Sequence, residues 1–390
     1  MTTSSVIRGL KLITISGFLI GCIILLSVFT PIRINADMDF SMLYAVDQGL
    51  QHGIGFYDHN GQTQVLATEM GVKPSDLNLP RFIYPPYFAL VTFYLAWFSP
   101  EQAARMWFFL SAGMIFLSNH FLLRGQSILK KSLGLILSFL ALPALGGLFV
   151  GQFVAPVLLG LAIIVEGSKR ESSWIFASGL VLLTIKPQLG LIPFLVVIIW
   201  LLTRKKAWSN YSIGISILGI MLLLIISWVV DPGWLGDYYR SILEFRNLPT
   251  YRVCEICSGL SVHLSRIFAG EPNTTLALFF GTSMIMGLGV IFILRKWWKL
   301  DLPNLLALAV ITTMLVNPYL NNYDYLLLSL PMAIILTGRT TKKEYLLLVG
   351  SILIPWLVLI SGERILVAYA LSSISCFYFM WFVVCNPRLI

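Results

Sequence analysis

Apolar positions in this chain come in long blocks that short polar stretches separate. Several blocks reach the roughly 17–25 residues that a helix needs to cross the hydrocarbon core of a bilayer. The pattern therefore predicts an all-α integral membrane protein. The thirteen blocks are residues 10–29, 84–98, 103–123, 132–149, 153–167, 173–185, 188–203, 209–230, 274–294, 302–317, 324–337, 345–361 and 364–385.

The basic residues indicate that one block does not cross. If all thirteen crossed, the basic clusters at 124–131, 204–206 and 339–343 would all lie on the non-cytoplasmic side. Lys and Arg instead favour cytoplasmic loops. Block 84–98 is only 15 residues long, and it opens with Tyr-Pro-Pro-Tyr. We therefore expect it to be a re-entrant or interfacial segment.

This choice leaves a bundle of about 12 transmembrane helices with both termini in the cytoplasm. Most Lys and Arg residues then lie inside, and most Asp and Glu residues lie outside. Block 10–29 begins beside two basic residues, Arg8 and Lys11, and has no small-residue cleavage site after it, so we expect a retained first helix. The whole chain, 1–390, is predicted to be one polytopic domain. Its two long outer segments are 31–101, with an amphipathic helix at Asp39–Leu50, and 231–273.

Composition agrees with a membrane protein. The chain is 57% hydrophobic and 12% charged, with a mean hydropathy of +0.84. Soluble domains are about 25% charged. The net charge of +9 comes from short clusters between apolar blocks rather than from a basic tract. It therefore gives no reason to expect a nucleic-acid partner. No internal repeat of the kind found in many transporters is visible.

Five cysteines are too few for a disulfide scaffold. Three of them, Cys22, Cys376 and Cys385, lie in apolar blocks and are expected to pack there. The other two, Cys254 and Cys257, form a C-x2-C in the second outer segment. A structural metal site would need four ligands, and there is no second pair. A local disulfide or two unpaired thiols are the readings left open.

Polar residues interrupt the apolar pattern at several points that the expected topology places on the outer face. Ionisable groups at membrane depth are costly and are often functional. Simpler roles stay open for each: a helix cap for the acids and amides, and a lysine reaching from a turn to the interface. The candidates are Asp37, Asp39, Arg81, Gln152, Lys186, Gln188, Asn317 and Asp324.

Short motifs in the same order resemble those of the polyprenol-phosphate-mannose-dependent mannosyltransferase-like family, glycosyltransferase family 87 of the GT-C superfamily. They are Asp-Phe-Ser-Met-Leu-Tyr-Ala from Asp39, Phe-Ile-Tyr-Pro-Pro at 82–86, Gly151-Gln152, Thr-Ile-Lys-Pro at 184–187, and Asn317-Pro318 followed by Tyr-Asp-Tyr at 323–325. Many members carry a His near this last motif. Here Tyr323 and Asp324 stand in that place.

The resemblance implies a GT-C-type fold. It also implies an enzyme that transfers a hexose, with mannose expected first, from a polyprenyl-phosphate donor to an acceptor hydroxyl with inversion at the anomeric carbon. Asp39 corresponds to the family's catalytic base, with Asp37 as a second candidate. Lys186 and Arg81 are expected to hold the donor phosphate. Further residues expected to contact substrate are Tyr44, Tyr84, Gln152, Gln188, Asn317 and Asp324.

The expected partners are the lipid-linked donor, membrane lipid, and a glycolipid, glycan or other hydroxyl acceptor. The expected location is the cell membrane, with the active site on the non-cytoplasmic face. Nothing in the residues requires a metal or another cofactor, although Asp37 and Asp39 together could hold a metal ion. Two alternatives remain: a transporter or flippase for a lipid-linked or anionic substrate, and a polymerase or ligase of lipid-linked glycans.

Overall fold

The computed structural model describes residues 39–204, 206–247, 257–259, 262–263, 281, 284, 301–317, 319–338, 340–362 and 364–385. Within these ranges every regular element is helical, so the predicted all-α class is confirmed. The α-helices are α1 (Asp39–Gln51), α2 (His59–Met70), α3 (Pro86–Thr92), α4 (Pro100–Leu122), α5 (Ile128–Leu140), α6 (Leu142–Val150), α7 (Val154–Arg170), α8 (Ser173–Leu183), α9 (Pro187–Arg204), α10 (Ala207–Val230), α11 (Trp234–Asn247), α12 (Leu302–Val316), α13 (Ser329–Thr337), α14 (Lys342–Ile360) and α15 (Arg364–Met380).

Most predicted apolar blocks begin and end within a few residues of a helix or of a pair of consecutive helices. Block 132–149 is divided, because α5 and α6 meet at a 57° bend just before Pro143. Proline lacks an N–H and cannot continue the helix that precedes it. Block 10–29 and nearly all of block 274–294 lie outside the described residues.

Four described helical segments are long and apolar enough to cross a membrane, or five if the bent pair is one span. These four are Pro187–Arg204, Ala207–Val230, Lys342–Ile360 and Leu366–Val383. Helix α10 buries few residues within the protein, as expected of a helix that faces lipid. Helix α12, in contrast, is buried along almost its whole length. It is the central helix of the bundle and contacts α9, α13 and α15.

The segment expected not to cross is short. Helix α3 continues as a 3₁₀-helix over Phe93–Trp97. Together they rise about 20 Å, whereas the hydrocarbon core is about 30 Å thick. The segment is fastened to α1, because the Gln48 side chain donates to the Ala96 carbonyl at 2.8 Å and the Tyr44 hydroxyl donates to the Phe98 carbonyl at 2.9 Å.

Helix α1 forms where the sequence predicts an amphipathic helix. Residues Phe40 to Gly49 are all buried, so the helix is enclosed by protein rather than lying on a surface. It packs on α2, α3 and α4 and on the 3₁₀-helix that follows α3. Its first residue is Asp39, and this packing therefore fixes the position of that carboxylate.

Candidate active site

A cavity of about 410 Å³ lies beside the first residue of α1. Its wall combines charged and polar side chains with apolar and aromatic ones. Such a wall suits a ligand with a charged head and an apolar chain. The lining residues are Asp39, Met42, Pro80, Arg81, Ile83, Tyr84, Lys186, Pro187, Gln188, Tyr238, Ile242, Phe245, Cys257, Tyr319, Asn321 and Tyr323.

Gln152 connects Asp39 to Lys186. Its Nε2 donates to Asp39 Oδ2, and its Oε1 accepts from Lys186 Nζ at 2.9 Å. The orientation of the amide follows from its neighbours, because a carboxylate needs a donor and an ammonium needs an acceptor. Gln152 is buried. The two ends of its side-chain amide therefore contact partners of opposite charge away from solvent.

The backbone before Gln152 is a tight cap. Gly151 ends α6 in the left-handed region at φ +74°, where glycine is strongly preferred. A Cβ added there would lie 2.4 Å from the Cβ of Phe40, the residue next to Asp39. The Gly151 carbonyl also accepts from Trp107 Nε1 at 3.0 Å. Close contact between this cap and α1 therefore sets the distance from Gln152 to Asp39.

Lys186 lies in the turn between α8 and α9, directly before Pro187, which begins α9. The side chain is buried, and an unpaired buried ammonium would be costly. Its partner is Asp324, whose Oδ1 lies 2.6 Å from Nζ. The Nζ atom also lies 5.1 Å from the centre of the Tyr323 ring. Asp324 is itself held by the Asn321 N–H, which donates to Oδ2 at 2.8 Å.

Burial raises the pKa of Asp39, while the nearby Lys186 charge and the hydrogen bond from Gln152 partly lower it. A position at the start of a helix favours the ionised form of a carboxylate. In the structure, loss of solvation opposes that effect. A carboxylate whose pKa is raised toward neutral pH is a stronger general base than an ordinary aspartate.

Several predicted residues do meet at the cavity. Asp39, Lys186, Arg81, Tyr84 and Gln188 all line it. Arg81 is ion-paired with Glu244 of α11 at 2.5 Å, so its guanidinium already has a carboxylate partner. Asp37, which could hold a metal ion together with Asp39, lies outside the described residues. Within the described part of the chain, no group of three His, Cys, Asp or Glu side chains could hold a metal ion.

Other predicted residues lie behind the cavity wall. Asp324 and Gln152 are buried and hold Lys186. Asn317 donates through Nδ2 to the Gln188 carbonyl at 2.9 Å, so it fixes the start of α9. Tyr44 bonds to the Phe98 carbonyl and to the Gln48 side chain, which gives it a packing role. These positions make the four residues supports for the site rather than part of its wall.

Sequence reasoning missed part of the wall. Lys186 Nζ lies over the Tyr323 ring, and Tyr238 comes from α11. Tyr323 belongs to the last of the family-like motifs, but that motif does not indicate a contact with Lys186. Tyr238, Ile242 and Phe245 recur at helical spacing within the second outer segment. That spacing was a visible signal of a helix with an apolar face.

Comparison with known protein families matches residues 82–318 to glycosyltransferase family 87. The chain belongs to glycosyltransferase family 87. The resemblance seen in the short motifs is thereby confirmed. A search of curated proteins finds no match.

The family match contains Gln152 and Lys186, whereas Asp39, Arg81 and Asp324 lie outside the matched residues. Membership of family 87 makes the protein a membrane glycosyltransferase, which uses a sugar donor and an acceptor. The match does not favour the alternative of a transporter or flippase.

Proposed function

We propose that this protein transfers one hexose, with mannose the first candidate, from a polyprenyl-phosphate donor to an acceptor hydroxyl. The observation that carries the proposal is the pair formed by Asp39 and Lys186 at one cavity, with Gln152 between them. A base and a cation on one wall are what such a displacement needs.

The proposed reaction is a direct displacement. Asp39 accepts the proton of the acceptor hydroxyl as the acceptor oxygen bonds to the anomeric carbon of the donor. The bond from that carbon to the phosphate oxygen breaks, and polyprenyl phosphate leaves with the bonding electrons. Attack opposite to the leaving group inverts the anomeric centre. General-base assistance typically contributes about 10²–10⁴-fold to such a step.

Lys186 is suited to the departing phosphate. An ammonium has three N–H donors, and two of them are directed at Gln152 and Asp324. The third is available to a ligand in the cavity that Lys186 lines. Arg81 lines the same cavity, and its partner Glu244 is half exposed. A donor phosphate could therefore replace Glu244 at some of the guanidinium N–H groups of Arg81, because a guanidinium binds phosphate well.

The apolar wall is suited to the lipid. Met42, Ile83, Ile242 and Phe245 contribute apolar side chains to the cavity wall. A polyprenyl chain needs such a surface because each buried CH₂ contributes about 0.8 kcal/mol. We infer that the donor enters with its chain on this surface and its phosphate toward Lys186.

We propose the twelve-crossing topology with the cavity on the non-cytoplasmic face. The charge distribution supports it, because most Lys and Arg residues then lie on the cytoplasmic side. A second observation bears on the face of the cavity, since Cys257 at the cavity wall is disulfide-bonded. Disulfides persist in oxidising compartments and are rare in the cytoplasm. A disulfide beside the donor cavity therefore favours the outer face.

The direct test uses purified protein in lipid nanodiscs with polyprenyl-phosphate mannose, glucose and galactose. Mass spectrometry then follows sugar transfer and the release of polyprenyl phosphate. Release that depends on one of these donors is expected. Transfer from a nucleotide sugar, with no reaction of any polyprenyl-phosphate sugar, would refute the proposal.

A further inference from the structure

A second cavity, of about 610 Å³, adjoins the donor cavity. Arg81 lines both. The second wall is polar and carries both signs of charge, unlike the mixed wall of the donor cavity. Its charged members include Asp58, Asp231, Asp237, Glu244, Arg81 and Arg240.

Helix α11 separates the two cavities. Asp237, Arg240, Ser241 and Glu244 recur at the spacing of one helix face and line the polar cavity. Tyr238, Ile242 and Phe245 lie on another face of the same helix and line the donor cavity. One amphipathic helix thus presents its charged face to one space and its apolar face to the other. This division suits two substrates of different polarity.

Two backbone N–H groups hold the Asp231 carboxylate in place. Its Oδ2 accepts from the Phe56 N–H and its Oδ1 from the Gly233 N–H, each at 3.1 Å. The chain passes very close at Gly55, where an added Cβ would lie 2.8 Å from Asp231 Oδ2. Each carboxylate oxygen can accept more than one hydrogen bond. Asp231 therefore retains acceptor capacity toward the cavity that it lines.

The charges of this cavity are unbalanced. Four carboxylates line it against two guanidiniums, which are paired as Arg81 with Glu244 and Arg240 with Asp237. Burial and the nearby Arg81 lower the pKa of His59, so this histidine adds no cation at neutral pH. The excess negative charge repels an anionic ligand. Fixed carboxylates and guanidiniums are good partners for neutral hydroxyl groups.

We propose that this cavity binds the neutral, hydroxyl-rich part of a carbohydrate acceptor, a proposal that rests on the proposed glycosyl transfer. The cavity holds acceptor sugars that do not react, and the shared wall at Arg81 brings the terminal sugar toward Asp39. Contacts remote from the reacting bond can contribute to transition-state stabilisation. A free glycan and a glycolipid head group both present such neutral sugars, and the test below distinguishes them.

The test measures sugar binding separately from catalysis. Saturation-transfer NMR titrations would use wild-type protein in nanodiscs with neutral mannotriose, its dodecyl glycoside, and mannose 6-phosphate as an anionic probe. The variants are Asp58→Asn, Asp231→Asn and their combination. Asparagine is as good a helix N-cap as aspartate, so Asp58→Asn keeps the cap of α2. The matched control is Asp76→Asn, at an exposed acid of the same outer segment.

We expect the neutral probe to bind the wild type better than the phosphate probe does. Each single variant should weaken mannotriose binding by about tenfold, because a hydrogen bond from a sugar hydroxyl to a carboxylate contributes more to affinity than one to the neutral amide that replaces it. The double variant should bind the phosphate probe better than the wild type does, and Asp76→Asn should change neither. Tighter binding of the dodecyl glycoside than of free mannotriose would identify a glycolipid acceptor, and equal binding a free glycan.

Equal binding of mannotriose to the wild type and the double variant would overturn the proposal, as would a wild-type preference for the phosphate probe. Donor binding, measured on the same samples with polyprenyl-phosphate mannose, glucose and galactose, separates the two proposals. If the wild type binds donor but not the neutral probes, the acceptor assignment alone fails. If it binds the neutral probes but none of the polyprenyl-phosphate sugars, the donor assignment fails instead.

Discussion

Asp39 and Lys186 lie on elements far apart in the chain, yet they share one side-chain amide, that of Gln152. The lysine holds the amide oxygen, so the amide N–H groups must face the carboxylate. This relationship couples the proposed base to the residue proposed to bind the donor phosphate, and most of the predictions below depend on it.

The first prediction concerns this bridge. Gln152→Leu keeps much of the side-chain volume but removes both hydrogen bonds. Turnover should fall by about tenfold or more, because a hydrogen bond to a charged group typically contributes about 1.5–3 kcal/mol. Transfer assays at saturating donor would measure the change. Gln64→Leu, at an exposed position of α2, is the control and should leave turnover near the wild-type value.

The second prediction concerns the buried ion pair. Removing one partner of such a pair typically costs about 3–5 kcal/mol because the other charge is left unpaired. Lys186→Met and Asp324→Asn should therefore each lower the unfolding temperature strongly. The double variant Lys186→Met/Asp324→Asn should recover much of the stability, as thermal melts in nanodiscs would show.

The same double variant tests the phosphate role. If Lys186 binds the donor phosphate, the stable double variant should still bind donor weakly. Normal donor affinity in that variant would make Lys186 a positioning residue for Gln152 and Asp39 only. The single variant cannot decide this question, because its instability and its loss of binding would be confounded.

The third prediction concerns pH. The ionised form of Asp39 is the base, so kcat/KM should fall as pH falls through the pKa of Asp39. Because burial raises this pKa, the midpoint of the acid limb of the kcat/KM profile should lie above the ordinary aspartate pKa of about 3.9. In the wild type, the Lys186 charge lowers the pKa of Asp39 more than the Asp324 charge raises it. Removing both charges in the Lys186→Met/Asp324→Asn variant should therefore raise this pKa and move the acid limb of the kcat/KM profile to higher pH. A limb that moves to lower pH would contradict this account.

The positions of the helices were largely predictable from sequence, because the apolar blocks are long and helix ends coincide with Pro, Gly and charged residues. The grouping of Asp39, Gln152 and Lys186 on one face was also within reach, since each interrupts or follows an apolar block. Their direct contact was not, because it depends on how the Gly151 cap approaches Phe40. That distance belongs to tertiary packing.

The roles of single residues were harder to predict. Tyr44, Asn317 and Asp324 belong to the motifs that resemble the family, but motif membership does not say whether a side chain faces a cavity or supports one that does. The ionisation of Asp39 depends on burial, which the sequence shows only coarsely. The partner of Arg81 lies on α11, more than 150 residues along the chain, and no local pattern indicates it.

The fourth prediction concerns the glycine cap. Gly151→Ala adds a Cβ both to a left-handed residue and against Phe40. The left-handed conformation alone costs roughly 1–2 kcal/mol for other residues. Gly71→Ala is the matched control, because Gly71 is also a left-handed cap but has open space around it. Gly151→Ala should lose more stability than Gly71→Ala and should also lose turnover. Equal effects of the two variants would show that the contact with Phe40 is unimportant.

Cysteine labelling tests the proposed topology. The exposed positions Asp58, Glu101 and Lys342 would be replaced one at a time by cysteine. A membrane-impermeant maleimide should label Asp58→Cys and Glu101→Cys in intact cells, and Lys342→Cys only after permeabilisation. Labelling of Glu101→Cys only after permeabilisation would make the segment at 84–98 a true crossing.

The most direct test of the central claim is the turnover of Asp39→Asn with a donor that the wild type uses. The amide keeps the shape of the side chain and its capacity as a helix cap, so the variant should insert, fold and bind donor. It cannot accept the acceptor proton, so release of polyprenyl phosphate coupled to transfer should fall by about 10²–10⁴-fold. Near-normal turnover in Asp39→Asn, with a large loss in Asp37→Asn, would move the base to Asp37. Near-normal turnover in Asp37→Asn, in Asp39→Asn and in the Asp37→Asn/Asp39→Asn double variant would contradict a carboxylate base at this site.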